Sequence, residues 1–177
     1  MRNLNSSKYN KSYWLGRIGL FLLCGNIYYL IEYIYKHGEN TSWTMFVLAG
    51  CLGLIIDAIN NVFSFDLDIR VQVFYATIIT TLSEGVAGLI INKWLGLGVW
   101  DYSTLPFSFF WDQCNLFFVG AWVIIICFAI PLCDAWNYYI CDIEPIPYYR
   151  IGYYKFAMPK KQRKEDDKQH VHNINER

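Results

Sequence analysis

Residues 116–136 read LFFVGAWVIIICFAIPLCDAW, an apolar run that contains a single charged side chain, Asp134. A helix needs about 20 mostly apolar residues, at about 1.5 Å per residue, to cross the hydrocarbon core of a bilayer. Three further runs of this kind occupy residues 14–35, 43–63 and 71–94. Four such runs in 177 residues leave little chain to bury them, so the sequence predicts an all-α, polytopic integral membrane protein.

The composition agrees with this class. Hydrophobic residues make up 55% of the chain and charged residues 17%, against roughly 25% charged in a typical soluble domain. Tryptophan or tyrosine lies at most ends of the runs, as expected where aromatic rings settle at the level of the lipid headgroups. The first run is too long for a signal peptide and is interpreted as a retained helix.

Lysine and arginine predict the orientation, because the cytoplasmic loops of membrane proteins are enriched in both. Of the 15 lysines and arginines, eight follow position 149 and four precede position 18, whereas each of the three connections between the apolar runs has one in or beside it. We therefore expect residues 1–136 to form a four-helix transmembrane domain in the bacterial inner membrane, with both termini in the cytoplasm. Residues 95–115 would form a loop on the outer side of the membrane, called the outer loop below. Residues 137–158 are predicted to lie at the cytoplasmic interface, and residues 159–177 to form a flexible charged tail.

Ionisable side chains inside a span are costly, so each is a candidate for function. Arg17 and Asp57 lie at similar depths, roughly 5 and 9 Å from the cytoplasmic ends of their spans, and are predicted to pair as a link between helices. Glu84 lies near the middle of its span, at the depth of Asn26, which is expected to donate a hydrogen bond to it. Glu84 is either a proton- or ion-sensing group that faces the bundle interior or a pore, or a hydrogen-bonded carboxyl at a helix contact.

Small residues around Glu84 predict a packing face, since small side chains let helix backbones approach closely. The second span offers a counterpart, within the subunit or across a homo-oligomer. The residues of this face and its counterpart are Ser83, Gly85, Ala87, Gly88, Gly50 and Gly53.

The chain shows no phosphate-binding loop, no H-E-x-x-H motif and no nucleophile paired with a base, so no enzymatic activity is predicted. The six cysteines lack metal-ligand spacing and lie mostly in apolar runs, so neither a metal nor another cofactor is expected. A basic run in the tail is predicted to contact anionic lipid or a cytoplasmic protein, and no contact with nucleic acid is predicted. Its residues are Lys160, Lys161, Arg163 and Lys164.

The outer loop contains GVWDYSTLPF, residues 98–107, which mixes large aromatic rings with one charge. Trp100, Tyr102 and Phe107 are expected to anchor at the outer interface, and Pro106 to break the helix. Asp101 either caps a local turn with Ser103 and Thr104 or belongs to whatever the outer face recognises.

Residues 82–114 resemble the core of the CmpB-like, ABC-transporter type IV family of small bacterial membrane proteins. The matching residues are Glu84, Gly88, Trp100, Asp101, Tyr102, Ser103, Pro106 and Phe107. Ser108 and Trp111 depart from the pattern. The resemblance implies a membrane-embedded fold. In its architecture of four spans, internal termini and a basic tail, the chain is also similar to the membrane subunit of the Kiwa anti-phage system, which implies an envelope sensor with a soluble partner.

These patterns together predict a non-enzymatic, oligomeric inner-membrane subunit that senses or anchors at the envelope and couples to a cytoplasmic protein, as in anti-phage defence. The alternative is a permease-like or channel-like protein that moves a small solute or ion past Glu84.

Overall fold

The computed structural model describes residues 11–38, 41–63, 65–142 and 145–161. These residues contain four α-helices: α1 (Lys11–Tyr35), α2 (Trp43–Val62), α3 (Ile69–Gly88) and α4 (Leu116–Ala135). A short stretch of π-helix extends α3 through Leu89–Trp94, and another extends α4 through Trp136–Ile140. The helices therefore begin and end within a few residues of the four apolar runs.

Polar side chains fix where three of the helices begin. Ser42, Asp68 and Asn115 precede α2, α3 and α4, and each accepts the backbone N–H two residues further on, at 3.3, 3.0 and 2.9 Å. Such caps satisfy donors that the first turn of a helix leaves unpaired.

Within the described ranges, three helical segments are long and apolar enough to cross a membrane: Tyr13–Tyr35, Ile69–Trp94 and Leu116–Ile140. α2 contributes a shorter apolar stretch, Trp43–Ile59. The structure thus has the composition of a membrane-embedded bundle, while the four spans and their orientation remain a prediction.

Contacts between helix ends show how the bundle is arranged. α1 packs along α2, and α4 packs against α2 and α3. The rings of Tyr35 and Phe118 join the end of α1 to the start of α4, with centroids 6.4 Å apart. At the opposite end, Trp136 Nε1 donates a hydrogen bond to Gly16 O at 3.0 Å. α1 and α4 therefore run antiparallel, and both described ends of the chain lie at one end of the bundle.

Two glycines of α2 allow α1 to approach closely. A Cβ on Gly50 would lie 2.6 Å from Phe21 Cε2, and one on Gly53 would lie 2.5 Å from Cys24 Sγ. Of the two predicted arrangements, the one within the subunit is therefore wrong, because these glycines face α1 and not the small residues of α3.

The described residues also form two short antiparallel hairpins, so the all-α prediction was incomplete. β1 (Ser108–Phe109) pairs with β2 (Cys114–Asn115) inside the outer loop, and β3 (Tyr148–Ile151) pairs with β4 (Tyr154–Ala157). In the second hairpin, Gly152 opens the turn with a φ of 59°, which fits the turns that join neighbouring strands. The predicted interfacial segment is therefore partly a folded hairpin.

The β3–β4 hairpin packs on the α2–α3 connection. Lys155 Nζ donates to Asp66 Oδ1 at 3.0 Å, and Gly152 N donates to Asp68 Oδ2 at 2.7 Å. Lys161, which the sequence placed in a flexible tail, donates to Asp142 Oδ1 at 2.6 Å. Lys160 is exposed, and the last two members of the predicted basic run, Arg163 and Lys164, lie outside the described residues.

The hairpin is expected to separate from the α2–α3 connection as the pH falls. Hydrogen bonds from Arg70 and from the Gly152 backbone hold the pKa of Asp68 well below its usual value, and the hydrogen bond from Lys155 lowers the pKa of Asp66. A carboxylate with a depressed pKa stabilises the folded state above its unfolded pKa, about 3.9, and this contribution disappears as the pH falls through the folded pKa.

Amide hydrogen exchange in residues 148–157, corrected for the intrinsic effect of pH, should therefore rise below about pH 4. In the Asp66→Asn, Asp68→Asn double variant, exchange should be high at every pH. A pH-independent rate in the unmodified protein would contradict this role of the two carboxylates.

Candidate functional site

Glu84 lies on the buried face of α3 with only 3% of its surface exposed. Trp122 Nε1 of α4 donates a hydrogen bond to its Oε2 at 2.8 Å, and the hydroxyl of Tyr102, from the outer loop, donates to its Oε1 at 3.1 Å. A carboxyl removed from water needs such donors, because an unpaired polar or charged group is costly in an apolar interior.

Two ring pairs hold these donors in position. The indole of Trp122 stacks on Tyr28 of α1, with centroids 5.2 Å apart and planes 9° apart. The ring of Tyr102 stacks on Phe118 of α4 at 4.7 Å. Such pairs add about 0.5–1.5 kcal/mol beyond the area that they bury. Three helices and the outer loop therefore meet around Glu84.

The predicted hydrogen bond from Asn26 to Glu84 is wrong. Asn26 is exposed, and its Nδ2 donates to Leu22 O, one turn earlier in its own helix, at 2.7 Å. Depth along the span placed Asn26 at the right height, but it carried no information about which way the side chain points around the helix. Tyr28, two residues further on, is the α1 residue that reaches the site.

The small residues around Glu84 are covered by the outer loop. A Cβ on Gly85 would lie 2.6 Å from Phe110 Cδ1, and one on Gly88 would lie 2.7 Å from Gln113 Cβ. The other two residues of the predicted face are half-buried: Ser83 and Ala87. The face of α3 that was expected to pack against a helix therefore packs against the outer loop.

Amide side chains give the loop its shape. Asn92 Nδ2, at the end of α3, donates to Gln113 Oε1 at 2.8 Å. Asn115 Nδ2 donates to Pro106 O at 2.8 Å and to Ser108 Oγ at 2.9 Å. Gln113 and Asn115 are fully buried. These amides could not be predicted from sequence, because nothing in a polar loop distinguishes a buried amide from a solvated one.

The W-D-Y-S motif is folded into this loop. Trp100 Nε1 donates to Gln113 O at 3.2 Å. Asp101 Oδ1 accepts from Ser103 N at 2.9 Å, which is the local turn expected as one of two alternatives, and this hydrogen bond lowers the pKa of the carboxyl. Between these two anchors, Tyr102 reaches Glu84.

The loop is held in a strained backbone conformation. Within residues 95–115, all of which the structure describes, non-glycine residues with positive φ are Phe107, Phe110, Trp111 and Asp112. Each such residue costs of order 1–3 kcal/mol and persists only where its surroundings enforce it.

A second buried polar cluster lies at the opposite end of the bundle. Arg17 of α1 donates to Asp57 of α2 and to Asn137 Oδ1, and Asn137 Nδ2 donates to Asp57 Oδ1 at 2.5 Å. The predicted pair of Arg17 and Asp57 is therefore present, together with Asn137, which was not among the predicted residues. Nearby, the hydroxyl of Tyr149 in β3 donates to the buried Asp134 at 2.9 Å.

Comparisons with protein-family models, with curated proteins and with solved structures give no match for this chain. Among the described residues, no group of three or more His, Cys, Asp or Glu side chains is placed to hold a metal ion. All six cysteines are described, and they are free thiols. The Glu84 site is thus a hydrogen-bonded carboxyl that ties the loop over residues 95–115 to the interior of the helix bundle.

Proposed function

We propose that the chain is an integral inner-membrane subunit, without catalytic chemistry of its own, whose outer loop responds to events at the envelope and whose cytoplasmic end engages a protein partner. One observation carries this proposal: Tyr102 of the outer loop donates a hydrogen bond to Glu84 inside the bundle. Burial and the charge of Glu84 raise the pKa of Tyr102, so its hydroxyl keeps its proton and remains a donor. A loop that only connected two helices would not need this link.

The proposal includes four spans with both termini in the cytoplasm. The β3–β4 hairpin contacts the α2–α3 connection, so these segments share one end of the bundle. Of the nine lysines and arginines that the structure describes, seven lie near this end, and the positive-inside rule assigns such an end to the cytoplasm. With 20 residues, α2 is long enough to serve as the fourth span.

α4 supplies the connection between the two ends. Trp122 contacts Glu84, and Asp134, 12 residues later, contacts Tyr149 of the hairpin. This separation corresponds to about 18 Å along a helix. Small shifts of a packed helix are an established means of carrying a change between distant sites. A shift of α4 after release of Tyr102 would therefore reach the hairpin.

The partner-binding surface is proposed on the hairpin, where Tyr153 is fully exposed and Tyr154 and Phe156 are largely exposed. Aromatic residues are enriched at protein interfaces. The architectural likeness to the Kiwa membrane subunit supports a role of this kind in anti-phage defence, with self-association of the subunit.

A second candidate function, movement of a small solute or ion past Glu84, is supported by one feature. Ionisable residues inside membrane spans often mark transport pathways, and Glu84 lies in the middle part of the 26-residue helical segment Ile69–Trp94.

Replacing Tyr102 by Phe tests the proposed coupling. Loss of one hydrogen bond, about 1 kcal/mol, should raise amide hydrogen exchange in the outer loop roughly fivefold. Under the proposal, exchange in residues 148–157 should also rise, by about twofold or more. Tyr29→Phe is the matched control, because it removes a phenol that donates to Thr41 O at 3.3 Å but does not contact Glu84. A loosened loop with an unchanged hairpin would refute the coupling through α4.

A further inference from the structure

A cavity of about 770 Å³ lies between α1, α2 and α4. Its floor consists of buried α2 residues, among them Leu52 and Ile56. Its rim is exposed: Ile31 of α1 is 43% exposed and Phe128 of α4 is 73% exposed. Since the rim residues belong to α1 and α4, the cavity opens sideways between these two helices, toward the surrounding bilayer.

The lining selects an apolar occupant. Most of the lining side chains are aliphatic or aromatic, and the indole N–H of Trp122 is already used on Glu84. Cavities lined by hydrocarbon do not hold water, because a water molecule needs several polar partners. In a protein embedded in a membrane, the apolar molecules available to fill such a cavity are the chains of lipids.

The dimensions favour a single chain of methylenes over a protein helix. Trp122 and Ala135 of the lining lie 13 residues apart on α4. Over the corresponding length of about 20 Å, the volume gives a mean cross-section of about 40 Å², whereas a helix about 10 Å across occupies about 80 Å². A helix from a second copy could therefore lie only against the rim, whereas an extended acyl chain can enter the cavity.

We infer that this cavity binds an acyl chain of a bilayer lipid, with the polar head of the lipid at the end of the bundle marked by Met158. Met158 and Ala135 line the cavity at that end, and the exposed Lys160 follows two residues later. Its ammonium group suits the phosphate of a phospholipid or the carboxylate of a fatty acid. This inference requires that the bundle is embedded in a membrane, but it does not depend on the proposed sensing role.

Binding would connect lipid to the Glu84 site. Tyr28 and Trp122 line the cavity and form the stacked ring pair that positions the indole donor of Glu84. An acyl chain in the cavity would contact both side chains and so stabilise that donor in place. The lipid acts as a structural component of the site and takes part in no chemical step.

Two substitutions of matched size test the inference. Ala129 of α4 lines the cavity, and Ala121 of the same helix is exposed outside it. The full chain is extracted from membranes in a mild detergent, and bound lipid is measured by native mass spectrometry and by phosphorus content. We expect about one lipid per chain in the unmodified protein and in Ala121→Phe, and at least a fivefold loss in Ala129→Phe. Phosphorus in the bound fraction identifies a phospholipid, and its absence identifies a fatty acid.

A second variant, Ala49→Leu, fills the cavity from α2 and should lose lipid in the same way. A further measurement needs no substitution and uses the unmodified protein after delipidation. Its Tm should rise when long-chain phosphatidylglycerol is added and should not change when a short-chain analogue is added. The inference is overturned if the unmodified chain retains no lipid and its Tm does not respond. It is also overturned if both folded filling variants retain lipid, or if filling dissociates a dimer and leaves bound lipid unchanged.

Discussion

Replacing Asp57 by leucine is expected to destabilise the bundle by about 3–5 kcal/mol, because it leaves the guanidinium of Arg17 buried without its carboxylate. Arg17 and Asp57 expose only 13% and 4% of their side chains, so water cannot take the place of the lost partner. Asn137 loses the acceptor of its amide in the same variant. Reversible unfolding in mixed micelles of the full chain measures the change.

The double variant Arg17→Met, Asp57→Leu should recover most of this loss, since replacing a whole buried ion pair by apolar residues is often neutral. Asp142→Leu is the control, because Asp142 pairs with Lys161 at the surface and such exposed pairs contribute less than about 1 kcal/mol. If the double variant is as unstable as Asp57→Leu alone, the packing of residue 57 and not the uncompensated charge is responsible.

Replacing Glu84 by alanine is expected to release the outer loop. The substitution leaves the indole N–H of Trp122 and the hydroxyl of Tyr102 without their acceptor, at about 1–3 kcal/mol for each buried donor. Even the lower end of the sum, about 2 kcal/mol, corresponds to a roughly 30-fold increase in opening of the loop. Proteolysis of residues 95–115 from the outer face of sealed vesicles, under conditions where opening precedes cleavage, measures the effect.

Glu84→Gln should increase opening of the outer loop less than Glu84→Ala does. The side-chain carbonyl oxygen of glutamine can accept from one of the two donors, whereas its NH₂ group can accept from neither. The same variant in liposomes distinguishes the two candidate functions. Movement of an ion or solute past Glu84 requires that the flux of the unmodified protein is lost in Glu84→Gln. Equal flux in the two proteins, with a loosened loop, would leave only the sensing role. If the outer loop of Glu84→Ala remains as resistant to proteolysis as that of the unmodified protein, the hydrogen bond between Tyr102 and Glu84 does not hold the loop. The proposed sensing role, which depends on that hydrogen bond, would then also be contradicted.

The helices could be predicted from sequence because length and apolar composition are local properties. The ends of α4 follow from residues 116–136 alone, and the cap at Asn115 is a residue type that favours such a position. Arg17 and Asp57 could be paired because charges in an apolar environment have few alternatives, so similar depth was sufficient.

The partners of Glu84 could not be predicted in the same way. Tyr102 lies 18 residues away in the chain and Trp122 lies 38 residues away, and each is a common residue at a membrane interface. Which of them turns inward depends on the rotation of α3 and α4 about their axes and on the fold of the loop. The amide contacts and the positive φ angles that shape this loop also depend on residues distant in the chain. The W-D-Y-S motif could therefore be found in the sequence, but the inward orientation of Tyr102 could not be predicted from it.

The positions of the Glu84 donors in the chain also bear on the order of synthesis. Because synthesis runs from the N-terminus, Glu84 is made before Tyr102 and Trp122. Until then its carboxyl has neither donor, and a charged group in a lone helix is expensive in lipid. The third helix is therefore expected to complete its insertion only together with the fourth, as one antiparallel pair. A nascent chain cut short before Trp122 would present an unfinished segment to the machinery that removes defective membrane proteins.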